Sequence, residues 1–302
     1  MGEQPARLKT VFLYSGGMDS YIGAFLTNAD VLLHVDTGTN YGDVEGEKLT
    51  TPPGMEGRLR QVSLRDLAQW ERPGDLILPN RNAHLVLAAG QYGNVIYLGA
   101  TAGDRTNDKN EVFVERINKL LAHLYAPQWW LPEGKEVRVE LPLKPYTKRQ
   151  LVEQYLQHGG DGEQLSRDTF SCYHPTDNGL ECGECKPCVR KWVALMANNI
   201  PPSFNAYAAV VKAREALLTS EGSRGPQELT DFNDAIANYE GLTRGGVMGR
   251  VRGAFRRWWC SWCENSEKHL AVKYEVQELN ENYTGLIPGH YFVSDDKEDK
   301  NV

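Results

Sequence analysis

Basic residues, early cysteines and long apolar runs are all scarce in this 302-residue chain. Its 33 Lys and Arg are outnumbered by 40 Asp and Glu, giving a formal charge of −7. Affinity for a nucleic-acid backbone rests on excess Lys and Arg, so direct binding of long nucleic acid is not expected. No apolar run approaches the ~20 residues that cross a bilayer, so no membrane partner is expected either. The N-terminus, MGEQPARLKT, is polar and lacks a secretory core. Gly2 lacks the Ser or Thr that a myristoylation signal requires downstream. A cytoplasmic location is the expectation. What remains is ordinary globular usage, 41% apolar and 24% charged. The length suffices for one large domain with an appendage, or for two.

No cysteine precedes Cys172. Cys172, Cys182, Cys185 and Cys188 form one group, and Cys260 and Cys263 another. Without a secretion signal, such spacing favours metal or redox chemistry over disulfides.

Short runs rich in β-formers at Thr10–Tyr14, Val31–Asp36 and Val95–Gly99 read as buried parallel strands. Gln61–Leu64 and Val137–Leu141 read as further strands, and Leu76–Leu78 as an extended piece. Helical spacing runs through Asp19–Leu26, Asn82–Tyr92 and Val112–Leu124, and Thr147 caps a helix reaching Gln157. This alternation predicts an α/β fold, a Rossmann-like parallel sheet flanked by helices. The ligand crevice of such a sheet lies beyond the carboxyl ends of its strands. Loops Ser15–Ser20, Asp36–Tyr41 and Gly99–Lys109 fall there. Gly159–Arg167 reads as a polar connection. Helices are expected over Val189–Asn198, Tyr207–Leu218 and Pro226–Tyr239. The expected division is an α/β unit over 1–160, a cysteine motif over 161–200 and a mainly helical extension over 201–302.

Ser15-Gly16-Gly17-Met18-Asp19-Ser20 joins the first strand to the first helix. Paired glycines let successive N–H groups turn toward an anion, and the helix N-terminus adds its dipole. Ser15 and Ser20 add hydroxyls, and Asp19 can hold Mg²⁺ or cap the helix. The loop lacks the Gly-Lys-Ser/Thr of a Walker A motif and the third glycine of a dinucleotide fingerprint. The plainer alternative is a Gly-Gly turn with a capping Asp.

Cys172-x9-Cys182-x2-Cys185-x2-Cys188 supplies four thiolates, which suits a closed, structural zinc site. An iron–sulfur cluster and redox cysteines are the competing readings. Cys260 and Cys263 read as two buried thiols. Arg250 to Trp262 mixes four Arg with three Trp and reads as packing or a subunit interface. His34 and His84 read as core or surface residues.

SGGMDS after a first strand resembles the pyrophosphate loop of the ATP pyrophosphatase superfamily, whose members cleave ATP between the α and β phosphates. Ser171–Trp192, SCYHPTDNGLECGECKPCVRKW, resembles the zinc motif of the 7-cyano-7-deazaguanine synthase (QueC) family. That motif ends Cys-Gly-x-Cys-x-x-Cys-x-x-Arg, with Arg190 or Lys191 standing here for the last residue. Pro79-Asn80-Arg81-Asn82 is similar to the family's Pro-x-Arg-Asn. Leu141-Pro142-Leu143 with Thr147-Lys148 is similar to its Thr-Pro-Leu and Asp-Lys stretch. The likeness covers residues 10–200. Two departures stand out: Asp36-Thr37-Gly38 replaces Asp-Tyr-Gly, and the loop Gly103–Asp108 is shorter and lacks a Tyr-Pro.

The resemblance implies an ATP-dependent ligase that forms a carbon–nitrogen bond, with 7-carboxy-7-deazaguanine and ammonia as substrates. ATP and Mg²⁺ are the implied cofactors, with a structural Zn²⁺ on Cys172, Cys182, Cys185 and Cys188. Adenylation of the carboxylate, amide formation and a second adenylation would give the nitrile. The resemblance places Ser15, Gly16, Gly17, Met18, Asp19 and Ser20 at the pyrophosphate, and Asp36 and Thr37 near the adenosine. Arg81 and Lys109 would neutralise phosphate, against a helix-start salt bridge for Arg81 and a solvated surface charge for Lys109. Asn82, Asp104 and Asp108 would meet the base, against helix capping for the two aspartates. The competing expectations are a ligase that stops at the amide and a tRNA-modifying enzyme on the same scaffold. A second copy of the chain is the candidate protein partner.

Overall fold

The computed structural model describes residues 7–40, 42–74, 76–104, 106–219 and 226–244. Cys260, Cys263 and the Arg and Trp cluster lie outside the described residues. Among the described residues, five strands form one parallel sheet: β1 (Thr10–Leu13), β2 (Val31–Asp36), β3 (Leu59–Ser63), β4 (Val95–Tyr97) and β5 (Arg138–Glu140). Their order is β3-β2-β1-β4-β5, with Val11 beside Val31 on one side and Ile96 on the other. Side chains of the central strand alternate between two cores. Phe12 enters one, and Val11 and Leu13 the other. In β2, Leu32 likewise opposes Val31 and Leu33. Burial on both faces is why these strands read as unbroken apolar runs.

Helices α1 (Met18–Thr27) and α5 (Lys148–Gln157) cover the Phe12 face. The opposite face is covered by α3 (Arg81–Ala89) and α4 (Glu111–Leu124). A capping box starts α5: Gln150 N donates to Thr147 Oγ1 at 3.3 Å, and Thr147 N to Gln150 Oε1 at 2.9 Å. Asn110 caps α4 by accepting from Phe113 N at 2.8 Å, so Asp108 is not its cap.

Two short helices depart from the sequence expectation. Helix α2 (Gly42–Glu47) follows β2, and α6 (Gly162–Asp168) replaces the polar connection expected over Gly159–Arg167. Asp161 caps α6 through the N–H groups of Glu163 and Gln164, and Leu165 is fully buried beneath it. Tertiary packing holds such a helix, too short to persist alone. Leu76–Leu78 joins no sheet, and Leu76 has a φ of +55°.

Helices α7 (Lys186–Met196), α8 (Tyr207–Thr219) and α9 (Pro226–Arg244) share a third core around Trp192, Val210 and Phe232. Helix α7 begins earlier than expected because Cys185 is its N-cap and Pro187 fits its first turn. It packs on both α5 and α9, and Arg149 of α5 pairs with Asp231 and Asp234 of α9. No described helix is long and apolar enough to cross a membrane.

Candidate active site

The glycine loop Ser15–Ser20 runs from β1 into α1. Gly16 has a φ of +74°, a left-handed turn that favours glycine, and Gly17 is the N-cap of α1. Ser15 Oγ and Ser20 Oγ lie 3.2 Å apart, and Ser20 Oγ donates to Gly17 O at 2.9 Å. These bonds curl the loop on itself. The first-turn N–H groups of a helix have no carbonyl of their own to bond, so an anion suits them. Residues far along the chain brace the outside. Met18 N donates to Ser171 Oγ at 3.4 Å, and Phe170 N to Gly16 O at 3.2 Å.

Asp19 makes no cap bond to α1. One of its carboxylate oxygens pairs with Lys148 Nζ on α5. The other, Oδ1, is buried and has no hydrogen-bond partner among the described residues. A carboxylate oxygen without a partner among the described residues, beside a glycine loop at a helix start, fits a hard cation such as Mg²⁺.

A cavity of about 240 Å³ opens over the loop. It gathers Ser15, Gly17, Met18, Asp19, Ser20 and Thr37 from one side, and Arg81, Asn82, Asp104 and Lys109 from the other. Gly16, Asp36 and Asp108 stand off its wall. Asp36 turns instead to Arg65, at 2.8 Å, and accepts from Gly38 N at 2.9 Å. Asp108 accepts from Asn82 Nδ2 at 2.8 Å.

Asp104 accepts from Thr101 N at 2.8 Å and faces Lys109 Nζ at 3.9 Å. Burial pushes its carboxyl up, but Lys109 and the Thr101 N–H outweigh that and hold it below the usual range. Burial pushes the Lys109 ammonium down, with Asp104 opposing. Lys109 is 23% exposed and faces the cavity, so it is not a solvated surface charge.

Glu45, Lys148, Tyr173 and Arg190, to which the sequence pattern gives no site role, also line this cavity. Lys148 carried a weak signal, following the capping Thr147. Glu45 carried none. His34, expected in the core or on the surface, is buried and borders the cavity, with Nδ1 3.2 Å from Tyr14 O.

The four cysteine sulfurs all lie within 4.8 Å of one another. Cys185 Sγ is 3.4 Å from Cys188 Sγ and 3.9 Å from Cys172 Sγ, and Cys182 Sγ is 4.0 Å from Cys188 Sγ. Zinc–sulfur bonds of ~2.3 Å in a tetrahedron put sulfurs ~3.8 Å apart, so the set fits a closed zinc-type site. Hydrogen bonding with the sulfurs of Cys172 and Cys188 pulls the Cys185 thiol well below its ordinary value. Gly183 makes the turn with a φ of +75°, and a Cβ there would collide with the Asn205 carbonyl. Three residues past Cys188, Lys191 is buried, and its Nζ meets Glu181 Oε2 at 2.7 Å and the Thr169 carbonyl.

The model of the family described as queuosine biosynthesis protein QueC matches residues 59–199. A 7-cyano-7-deazaguanine synthase of Chlorobaculum parvum is 26% identical over 216 residues, covering 61% of this chain and 90% of that protein. Proteins of the same name from Rickettsia africae and Rickettsia prowazekii are 36% and 37% identical over 67 and 68 residues. Those two alignments cover 22% of this chain and 28% of each relative, so the chain matches under a third of their length. The family match takes in β3 to β5 and the whole cysteine knuckle, and it ends before α8. With its parallel sheet and clustered cysteines, this chain is similar over residues 59–199 to the QueC family of queuosine biosynthesis proteins.

Proposed function

We propose that the chain is an ATP-dependent 7-cyano-7-deazaguanine synthase, a ligase that converts 7-carboxy-7-deazaguanine and ammonia to the nitrile. One observation carries this reading. A single cavity joins a phosphate loop, an unpartnered Asp19 oxygen and the Asp104–Lys109 pair, in a chain whose relatives bear that name.

In this reading Ser15, Gly16, Gly17, Met18 and Ser20 hold the departing pyrophosphate with backbone N–H groups and hydroxyls. Asp19, oriented by Lys148, holds Mg²⁺, which supplies further neutralisation of phosphate charge. Arg81 and Lys109 stabilise charge on the α-phosphate. Thr37 borders the adenosine, and Asp36 acts from behind by fixing the Gly38 turn. Asn82 and Asp104 meet the guanidine-like edge of the base, with Asp108 orienting Asn82. The substrate carboxylate attacks the α-phosphorus and expels pyrophosphate. Nitrogen then attacks the acyl carbon and AMP leaves. A second adenylation, on the amide oxygen, lets AMP depart as the nitrogen loses its protons. The residues contribute position and charge throughout. Cys172, Cys182, Cys185 and Cys188 hold a structural Zn²⁺. Residues 1–160 form the nucleotide-binding unit, 161–200 the knuckle and 201–302 the extension.

A second cavity of about 130 Å³ favours one rival, the ligase that stops at an amide. It shares Asp104, Lys148 and Arg190 with the first cavity and is walled by Val193 of α7 and Phe232 of α9. That space suits an amine larger than ammonia. Incubation with ATP, Mg²⁺, ammonium and 7-carboxy-7-deazaguanine, followed by mass spectrometry, separates the readings. Replacement of both carboxylate oxygens by one nitrogen marks the nitrile. Arrest after one replacement supports the rival, and absence of pyrophosphate release refutes both. Asp19→Asn is expected to lower kcat/KM for ATP by about 100-fold, the scale for losing one positioned electrostatic contact. Wild-type kinetics in that variant would remove Asp19 from the site.

A further inference from the structure

We propose that Glu45 is the general base for the nitrogen nucleophile, a role that rests on the adenylation reading above. Glu45 sits on α2, and its side chain lines the cavity over the phosphate loop. Its neighbours set that direction. Asp43 is held by Arg65 at 2.7 Å, and Val44 packs against the cysteine knuckle. Successive side chains on a helix diverge, so with those two committed elsewhere Glu45 faces the cavity.

Its surroundings separate it from the other carboxylates of the region. Asp19 pairs with Lys148, Asp104 with Lys109 and Asp36 with Arg65. No hydrogen bond or ion pair to Glu45 occurs among the described residues. The charge of Arg81 reaches it from α3, and Tyr173 lies within the field of both. A phosphate site gains from cations, so a carboxylate without an ion pair on its wall opposes ATP binding unless it serves another step. Burial raises the Glu45 carboxyl to about 7, with Arg81 pulling against it. A base of that strength exchanges protons readily near neutrality.

Nitrogen transfer needs such a group. Near neutral pH ammonia is present mainly as ammonium, which has no free electron pair. The Glu45 carboxylate attracts the cation and takes one proton. The neutral ammonia then attacks the acyl-adenylate. A carbon–nitrogen bond forms, and the bond from the acyl carbon to the AMP oxygen breaks, with AMP keeping the electron pair. The second proton on the attacking nitrogen passes to water.

Glu45→Gln in the full chain keeps the shape and removes the proton acceptor. Two activities are compared with 7-carboxy-7-deazaguanine present. Exchange of labelled pyrophosphate into ATP reads adenylation, and amide plus nitrile formed from ammonium reads nitrogen transfer. Transfer is expected to fall by about 100-fold, far more than exchange falls. Hydroxylamine, already neutral at the same pH, is expected to restore most of the transfer. Equal losses in exchange and transfer would overturn the proposal and assign Glu45 to ATP binding or folding. Undiminished transfer from ammonium, or failure of hydroxylamine to do better than ammonium, would also overturn it. Absence of exchange in the unsubstituted protein would sink the adenylation reading itself, and the base with it.

Discussion

Cys185→Ser is expected to empty the proposed zinc site and unfold the segment around it. Cys185 lies within 4 Å of two other sulfurs, and it is also the N-cap of α7. The core of this segment is Phe170 with the buried sulfurs, flanked by Val44 and Phe204. Structural zinc contributes about 10–16 kcal/mol in small zinc domains. That is comparable with the whole stability of an ordinary domain, about 5–15 kcal/mol. Helix α7 anchors the third core through Trp192 and reaches the phosphate-loop brace through Lys191. Local loss should therefore spread. Elemental analysis of the soluble fraction should drop from about one zinc per chain to none, with most of the protein insoluble. Prolonged chelation of the unsubstituted chain should give the same state. Full zinc retention in the variant would refute the four-cysteine site.

Lys191→Met is expected to destabilise the fold by about 3–5 kcal/mol, the cost of leaving a buried charge without its partner. Lys191 and Glu181 are 1% and 6% exposed and 2.7 Å apart. Lys191 Nζ also holds the Thr169 carbonyl and lies 5.5 Å from the Phe204 ring. The other oxygen of Glu181 accepts from Ser171 N at 2.9 Å, and Ser171 in turn accepts from Met18 N. The pair thus links the cysteine knuckle to the Ser15–Ser20 loop. Urea unfolding should show the loss, and KM for ATP should rise before kcat falls. Removing both charges, as Lys191→Met with Glu181→Gln, should recover much of the stability, because no uncompensated ion is left. A double variant less stable than Lys191→Met alone would contradict this account.

Legibility in the sequence tracked separation along the chain. Cys182, Cys185 and Cys188 sit three residues apart, so their convergence was readable as spacing. The loop Ser15–Ser20 is six consecutive residues between a strand and a helix. Strands β1, β2 and β4 are apolar on both faces and stood out as runs. Helix α6 was hidden because its composition is polar and a single buried leucine and a cap hold it.

Other features had no local signal. Asp19 and Lys148 are 129 residues apart, and Met18 and Ser171 are 153 apart. Asp36 sits at a strand end where a nucleotide contact is expected, yet Arg65 and Gly38 take its oxygens. Lys109 reads as an ordinary surface lysine until the fold sets Asp104 against it. Glu45 and Lys191 have partly or fully buried charged side chains that composition would leave in water.

The sequence by itself determined the alternating α/β pattern, the Gly-Gly loop between strand and helix, and the four-cysteine set, because each is made of residues close together along the chain. Only the tertiary structure decided which charges face one another across the cavity, and which carboxylate there goes without an ion pair. Charge pairing depends on distance in space and on exclusion of water, and parallel crossovers bring together residues whose spacing in the chain carries no trace of either.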